Sequence, residues 1–403
     1  MENTNRRRGL LVRKLVAFLC VTAFLIVPIS FAVASAAITG RLDFVNDITS
    51  NDSGDGWDWD ADAKTLTLNG LDLSYVDTAL STMAVLLPGG STVVLIGNNR
   101  IVNESGIYDT GNEAGGCGIY AEGNLTIQGA GALAIDAGGD GIRVDGKLII
   151  SNTTLEIDAG KDALFVKGDV TISGGTILNK STMGVGIFSE GGGITISGAT
   201  LTNKTFQGIW AYSDIKISGG AFTAEGGTGI FGINNVAISD CTVNITSLVF
   251  GIVGREGNVT VSGCIVNIEA GKYGIFGGDA VTISGGRGTV KVLETGDHHY
   301  WAVISGKAIG LSGGITVKGW DGAEYTVPTV TAKCDNDEFD DAFTFVSKEN
   351  LGTGLRNIWF GRPSTPETGD AGNIMRWMLI CIMSLAILGW WTVKGYSGKR
   401  TDS

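Results

Sequence analysis

A repeat of about 22 residues runs through the middle of the chain and limits the possible folds more than any other feature. Its first mark is a Gly-Ile step, and Ala163-Leu164 fills the one place where this pair is missing. Successive steps lie 23, 22, 23, 22, 21, 22 and 23 residues apart. Such regular spacing is typical of a solenoid, in which each unit stacks on the next. The glycines of the step are Gly118, Gly141, Gly186, Gly208, Gly229, Gly251 and Gly274.

Each repeat contains three short segments with the alternating apolar pattern of a β-strand. The second segment ends in Ser-Gly or a variant of it, as in VTISG from Val170 and ITISG from Ile194. A third segment follows, such as LEI from Leu155 or VNI from Val243. The chain has 63 glycines and only 5 prolines, which suits many short strands joined by tight turns. The repeat therefore predicts an all-β protein, a parallel β-helix that is right-handed because crossovers between parallel strands almost always take that hand.

The first and last coils of a solenoid need covers, because an open strand edge invites pairing with other chains. Less regular segments on both sides of the repeat are the candidates. We predict an N-terminal cap over residues 37–65, the β-helix over residues 66–322 and a C-terminal cap over residues 323–362.

Both ends of the chain contain long apolar runs. Near the N-terminus, five basic residues precede an apolar run that ends in Ala34-Ser35-Ala36, which is typical of a secretory signal peptide over residues 1–36. A retained membrane helix is the alternative, although Pro28 and Ser30 interrupt the run. Near the C-terminus, residues 374–393 form an apolar segment long enough for a transmembrane helix, and a basic tail follows it.

The residues just before this apolar segment contain a further motif. The stretch from Thr365 to Asp370, TPETGD, resembles the sorting signal of Gram-positive proteins that a sortase attaches to the cell wall. The resemblance implies that a sortase cysteine attacks Thr368, that Gly369 leaves with the helix, and that Thr368 is joined to peptidoglycan. Pro366 would bend the chain ahead of the cleaved bond, and Thr365 stands where the family most often has Leu. An ordinary single-pass anchor is the alternative.

The expected mature chain is strongly acidic. Cleavage after Ala36 and before Gly369 removes nine basic and three acidic residues and leaves 20 Lys and Arg against 38 Asp and Glu, a net charge of −18. A surface of this sign without a basic patch excludes nucleic acid as a partner. An acidic polymer would need a cation to bridge it to this surface.

The residue after each Gly-Ile step is mostly aromatic, so stacked coils would align these residues in one column. If the Ile faces the core, alternation puts the column outside, where its rings could stack on the sugars of a long glycan. The opposite parity makes the rings an internal stack. We predict the outward column because it also contains Arg143, which is difficult to bury. Its aromatic members, the glycan-binding candidates, are Tyr120, Phe165, Phe188, Trp210, Phe231 and Phe276.

Two pairs of carboxylates stack along the repeat. The segments LAIDAGGDG and LEIDAGKDA place Asp136 over Asp158 and Asp140 over Asp162. Four like charges on adjacent coils repel unless water, Lys161 or a cation lies between them, and a set of oxygen ligands suits Ca²⁺. These four aspartates are therefore the candidate metal ligands. Solvated aspartates in turns are the alternative.

Two cysteines occupy equivalent places in neighbouring repeats. Cys241 and Cys264 lie 23 residues apart, each just after the second strand, so stacking brings their Cα atoms within disulfide range. Two free thiols that fill neighbouring small pockets are the alternative.

Two stretches resemble a known family. GWDWDADAKTLTLNG, residues 56–70, and GIYAEGNLTIQGAG, residues 118–131, are similar to the carbohydrate-binding β-helix proteins of Gram-positive cell surfaces. The family resembles pectate lyases in fold and includes Ca²⁺-dependent binders of acidic polysaccharide that have no lyase activity. The resemblance therefore implies glycan binding without catalysis.

The whole sequence predicts a non-catalytic protein that binds carbohydrate or acts as an adhesin, anchored in the wall on the extracellular face of a Gram-positive bacterium. A polysaccharide lyase or glycoside hydrolase on the same scaffold is the alternative, for which only Arg143 near Asp140 and Asp145 offers suitable groups. A passive spacer of the cell surface is the third hypothesis. The expected partners are sortase, peptidoglycan, an extracellular polysaccharide, and the membrane through the C-terminal helix before processing.

Overall fold

A computed structural model describes residues 38–76, 82–103, 116–181, 183–292 and 304–312, together with the strands at 316–319, 324–325, 343–344 and 357–361. Regular structure in this part is all β, and parallel strands stack into a solenoid of about nine turns with about 23 residues per turn. The predicted all-β parallel β-helix is thereby confirmed. Within these residues no helix is long and apolar enough to cross a membrane. The predicted signal peptide, the sorting signal and the apolar segment 374–393 lie outside the described residues.

Three parallel sheets run along the solenoid, and each coil adds a strand to each sheet. Sheet 1 contains the Gly-Ile step, sheet 2 the Ser-Gly motif and sheet 3 the third segment of the repeat. The separate strands of sheet 1 are Leu42–Asp43, Met83–Leu87, Cys117–Ala121, Ile142–Val144, Leu164–Val166, Val185–Ser189 and Gln207–Ala211. Those of sheet 2 are Thr65–Asn69, Ser91–Ile96, Leu125–Gln128, Leu148–Ser151, Val170–Ser173, Ile194–Ser197, Ile215–Ser218, Val236–Ser239 and Val259–Ser262. Those of sheet 3 are Ile38–Thr39, Asp72–Tyr75, Asn98–Asn103, Ala132–Ala137, Thr154–Ala159, Thr176–Ser181, Thr200–Lys204, Ile265–Ala270 and Arg287–Val292.

Four longer strands continue from one sheet into the next. Ala221–Gly232 and Thr242–Gly254 run from sheet 3 into sheet 1. Tyr273–Ser284 and Ile304–Ser312 run from sheet 1 into sheet 2. The chain therefore bends at these corners within a single strand, and the register between coils shifts between Gly226 and Thr228 and between Gly277 and Ala280.

Antiparallel strands flank the parallel coils at both ends. Trp57–Asp60 pairs with Thr65–Asn69 of sheet 2, and Asp52–Gly54 pairs with Trp57–Asp60 in turn. At the other end Asn357–Gly361 pairs with Arg287–Val292 of sheet 3 and with Thr316–Gly319. The remaining two strands are Glu324–Tyr325, which pairs with Thr316–Gly319, and Phe343–Thr344, which pairs with Ile304–Ser312. These pairings occupy strand edges that would otherwise be open. The boundaries of the two caps stay predictions.

The core is a continuous apolar column enclosed by the three sheets. The residue that follows the glycine of each Gly-Ile step is fully buried in this column. The glycine itself is required by close packing: a Cβ on Gly229 would lie 2.5 Å from the carbonyl oxygen of Gly251 and 2.6 Å from Ile245 Cγ2. The core residues of the step are Ile119, Ile142, Leu164, Ile187, Ile209, Ile230, Ile252 and Ile275.

Candidate functional site

The three sheets present different chemistry on their outer faces. On sheet 3, one outward column has mixed charges, and Lys180 forms an ion pair of 2.6 Å with Glu156. On sheet 2, two outward columns consist mainly of Thr and Ser, as where Thr171 pairs with Thr195 and Ser173 with Ser197. In the described coils the aromatic rings gather on sheet 1, so this face is the candidate site for a glycan. The charged column of sheet 3 reads Asp136, Asp158, Lys180, Lys204, Glu225, Thr246, Glu269 and Lys291.

The aromatic column faces outward, because the neighbouring Ile of each step lies in the core. The register pairs Phe165 with Phe188, Phe188 with Trp210, and Trp210 with Phe231. The corresponding ring centroids are 5.3, 6.5 and 4.8 Å apart. Stacked coils thus convert the sequence column into a ladder of touching rings.

Part of this ladder is not available to a ligand. Phe165, Phe231 and Phe276 are only 7%, 8% and 2% exposed, although all three lie outside the main core. Phe231 and Phe276 pack with Val253 and Tyr273 in a second hydrophobic cluster on the outer face of sheet 1. These three rings therefore offer a ligand little surface, because neighbouring side chains on the same face cover them. Their role in glycan binding stays a prediction.

Four accessible rings on and beside sheet 1 form the aromatic patch, which we define as Phe188, Trp210, Tyr212 and Phe250. Phe188 and Trp210 are half-buried members of the column, and Tyr212, which is 51% exposed, lies 6.1 Å from Phe188 between ring centroids. Phe250 lies 6.3 Å from Phe231, which in turn contacts Trp210. Sequence reasoning missed Tyr212 and Phe250, since their columns contain residues of mixed chemistry.

The indole nitrogen of Trp210 is shielded from the surface of the patch. Its Nε1 atom is buried and has no hydrogen-bond partner among the described residues. A ligand on the patch would therefore contact the ring of Trp210 rather than its N–H group. Sugars have apolar C–H surfaces, which suit the faces of the rings.

Tyr120, the sixth member of the predicted column, lies at the polar end of sheet 1. Its hydroxyl donates a hydrogen bond to Asp145 Oδ2 at 2.9 Å, and Lys167 Nζ lies 3.1 Å from the same oxygen. Burial, followed by this hydrogen bond, raises the pKa of Tyr120 to about 12. The ring is half-buried and its hydroxyl is occupied, and the coils of Arg143 and Phe165 separate Tyr120 from Phe188, so Tyr120 does not add to the aromatic patch.

A buried ion pair lies beneath this polar end. Arg143 Nη1 donates to Asp140 Oδ2 at 3.0 Å, both side chains are almost fully buried, and the guanidinium carbon lies 4.0 Å from the centroid of the Phe165 ring. Burial raises the pKa of Asp140. Burial and the charge of Asp140 raise the pKa of Asp162 to about 6. Arg143 is thus fixed between a carboxylate and an aromatic face.

The four aspartates predicted as Ca²⁺ ligands stack as expected but do not converge. Asp136 pairs in register with Asp158, and the Asp162 amide donates to Asp140 Oδ1 at 3.2 Å. However, the first pair is exposed on sheet 3 beside Lys180, whereas the second is buried at the corner before sheet 1. Within the described residues no three His, Cys, Asp or Glu side chains group as metal ligands. The proposed Ca²⁺ site therefore does not fit these residues, because the corner separates the two pairs.

The two predicted cysteine partners are neighbours. Cys241 and Cys264 are buried free thiols, and their sulfur atoms lie 3.7 Å apart. The residues of the predicted sorting signal, Pro366, Thr368 and Gly369, lie outside the described residues.

Comparison with known proteins identifies a family. The model of a family described as carbohydrate-binding domain-containing protein matches residues 58–290, which is more than half of the chain. Neither the curated proteins nor the solved structures contain a match. The matched residues include the aromatic patch and the buried ion pair.

Proposed function

Because this chain belongs to the family of carbohydrate-binding domain-containing proteins, we propose that it binds a neutral glycan on the aromatic patch without cleaving it. The observation that carries the proposal is the set of touching, partly exposed rings on the outer face of sheet 1. Rigid aromatic side chains supply a large apolar area with little loss of conformational entropy.

The charge of the chain favours a neutral ligand. The full sequence has a net charge of −12, and the predicted mature part is more acidic still. An acidic polysaccharide would be repelled unless a metal ion bridged it to the protein, and the described residues contain no grouped set of metal ligands. A neutral polymer avoids this repulsion altogether.

The buried ion pair favours binding over catalysis. A lyase needs a basic group that can reach the substrate, but Arg143 is buried and donates to Asp140. Asp145, the other group that could serve an enzyme, already accepts the Tyr120 hydroxyl and contacts Lys167. We therefore propose a lectin-like role, as a surface adhesin or glycan receptor.

Binding to immobilised neutral and acidic glycans tests this proposal. Trp210→Ala and Phe188→Ala should each weaken binding about five- to tenfold, because each removes about 1 kcal/mol of ring contact. Ile149→Ala, which removes an exposed apolar side chain from sheet 2, is the matched control and should leave binding unchanged. Binding should also survive a chelator.

Other outcomes would favour the competing hypotheses. Loss of binding on chelation would indicate a Ca²⁺-dependent binder of acidic glycan, and cleaved products would indicate an enzyme. No binding to any glycan would favour a passive spacer. Equal affinity of the wild type and both aromatic variants would exclude the aromatic patch.

We also propose that the protein is displayed on a Gram-positive cell wall. The order of a signal-peptide pattern, the solenoid, the TPETGD motif and a C-terminal apolar segment supports this. Muralytic enzyme should release the protein from cells, whereas detergent should not. Release by detergent alone would instead indicate a membrane anchor.

A further inference from the structure

The two neighbouring cysteines lie at the corner between sheets 2 and 3. Each directly precedes a strand of sheet 3, and the following residues, Thr242 and Ile265, pair in register. Cys241 is 5% exposed and Cys264 is 1% exposed, and their sulfur atoms are 3.7 Å apart. Adjacent parallel strands hold equivalent Cα atoms about 4.8 Å apart, which is within the range that a disulfide spans.

Neighbouring coils mostly have small residues at this corner. Coils next to the cysteines place Gly220 and Gly286 here, and a Cβ on Gly286 would lie 2.2 Å from the carbonyl oxygen of Cys264. Earlier coils also place small residues here, such as Ala199 against Gly220. The two sulfur atoms consequently face each other with no larger side chain at this position to separate them.

We propose that Cys241 and Cys264 are a modification site at which an inter-coil disulfide forms by thiol–disulfide exchange with an oxidised dithiol reagent or oxidoreductase. The thiolate of one cysteine attacks the donor disulfide, which forms a mixed disulfide and releases one donor thiol. The thiolate of the other cysteine then attacks the sulfur of the first and releases the second donor thiol. The donor gains the two electrons that the cysteines lose, and the two cysteine protons pass to the donor thiols or to water.

The geometry favours exchange within the pair. Either thiol can donate to the other sulfur, and this hydrogen bond lowers the pKa of the accepting sulfur and raises the pKa of the donating thiol. A thiol whose pKa lies near the ambient pH is the most effective nucleophile in exchange. Because both sulfur atoms are buried, the bond would form as the coil closes during folding or after local opening.

The disulfide would close a ring of one complete coil. This ring contains the strand Thr242–Gly254, which places Phe250 in the aromatic patch and Val253 in the second hydrophobic cluster. The cross-link does not depend on the proposed function, so it can be tested without any ligand. Its expected effect is to hold this coil against its neighbour when the chain begins to unfold.

The test is to refold the full chain with oxidised and reduced glutathione, and in parallel with reductant alone. Each sample is then unfolded in the presence of an alkylating reagent and mapped by peptide mass spectrometry. After oxidative refolding, Cys241 and Cys264 should appear in one linked peptide and Cys117 should be alkylated. The melting temperature of the oxidised protein should exceed that of the reduced protein by about 5–10 °C.

Three variants provide the controls. Cys241→Ser and Cys264→Ser should each abolish the rise in melting temperature, whereas Cys117→Ser, which removes a buried thiol elsewhere, should retain it. Complete alkylation of both cysteines after oxidation would overturn the proposal, and so would a link from either one to another cysteine. If a serine variant fails to fold, the comparison of oxidised and reduced wild type still decides.

Discussion

Glycine has two different roles within each coil, and its spatial neighbours separate them. Gly229 of the Gly-Ile step has no room for a Cβ, which would lie 2.5 Å from the oxygen of Gly251. Gly198 after the Ser of sheet 2 has open space but a φ of +63°, and at the same corner position Asn152 and Asp240 adopt φ values of 48° and 51°. The first glycine is fixed by packing and the second by backbone conformation.

The two roles predict different effects of substitution on stability. Gly229→Ala should lower the free energy of unfolding by about 1–3 kcal/mol because it overpacks the coil. Gly198→Asn should change it by less than about 1 kcal/mol because Asn tolerates the left-handed conformation. Urea unfolding followed by circular dichroism measures both. Equal destabilisation of the two variants would contradict the distinction.

The pH dependence of stability tests the environment of Asp162, which lies beside the buried ion pair of Arg143 and Asp140. Its pKa of about 6 in the fold lies above the unfolded value near 3.9, so the fold binds this proton more tightly. The stability that it contributes is fully present below about pH 4 and is lost as the pH rises through 6. Asp162→Asn should therefore stabilise the protein by about 1–3 kcal/mol at pH 7.5 and by much less at pH 4.

The asparagine variant keeps the geometry of the site. Its side-chain oxygen can still accept the hydrogen bond from the Val185 amide, which is 2.7 Å from Asp162 Oδ1 in the wild type. Denaturant unfolding at pH 4, 5.5 and 7.5 gives the comparison. A stability difference that stays constant across these pH values would show that Asp162 keeps an ordinary pKa.

Residue columns were predictable from the sequence, whereas their burial was not. Alternation in a strand determines which side a residue faces, and this correctly separated the core Ile of each step from the outward ring. It contains no information on what covers the outer face, so Phe231 and Phe276 were predicted as ligands although they pack in the second hydrophobic cluster. Tyr212 and Phe250 were missed because their columns contain residues of mixed chemistry.

Some strands were predictable from the sequence and others were not. Every three-strand unit of the repeat was evident from its alternating pattern, because each coil follows from local sequence and from its neighbour. The antiparallel strands at the ends were not, since they depend on pairing between distant segments. Asn357–Gly361, for example, pairs with Arg287–Val292 and carries no repeat motif.

This terminal strand is held by one large side chain. Phe360 is fully buried, and a Cβ on Gly288 of the paired strand would approach its Cζ to 3.0 Å. Phe360→Ala should cost about 3–5 kcal/mol of local stability, because it leaves a cavity between the strand and the last described coils. Amide hydrogen exchange in Arg287–Val292 should accelerate, while exchange in Thr176–Ser181, far along the solenoid, should not.

The informative quantity is how far along the solenoid the faster hydrogen exchange of Phe360→Ala extends. In a solenoid each coil contacts only its neighbours, so damage at one end should decline along the axis. Uniform acceleration of exchange through all coils would instead indicate that the solenoid unfolds as a single cooperative unit.

At the scale of the whole molecule, the sequence repeat determines which residues stack along the axis. It does not determine which face of the coil each residue occupies. This explains why the four aspartates were predicted as one site. Asp136 and Asp140 are four residues apart in sequence, yet the corner between sheets 3 and 1 directs the first to an exposed ladder and the second to a buried ion pair.

The geometry of the aromatic patch predicts how glycan length affects affinity. Phe188 and Phe250 lie on coils that are three steps apart, through the pairs Phe188–Trp210, Trp210–Phe231 and Thr228–Phe250. At about 4.8 Å per step the patch is about 14 Å long, which about three pyranose rings would span. Affinity for a series of neutral oligosaccharides should therefore rise steeply up to about three sugars and level off beyond four.

Phe250→Ala should remove the gain from the last sugar while leaving disaccharide binding nearly unchanged, and isothermal titration calorimetry measures both effects. An affinity that keeps rising with each added sugar well beyond four would show that the ligand extends past the aromatic patch along the solenoid.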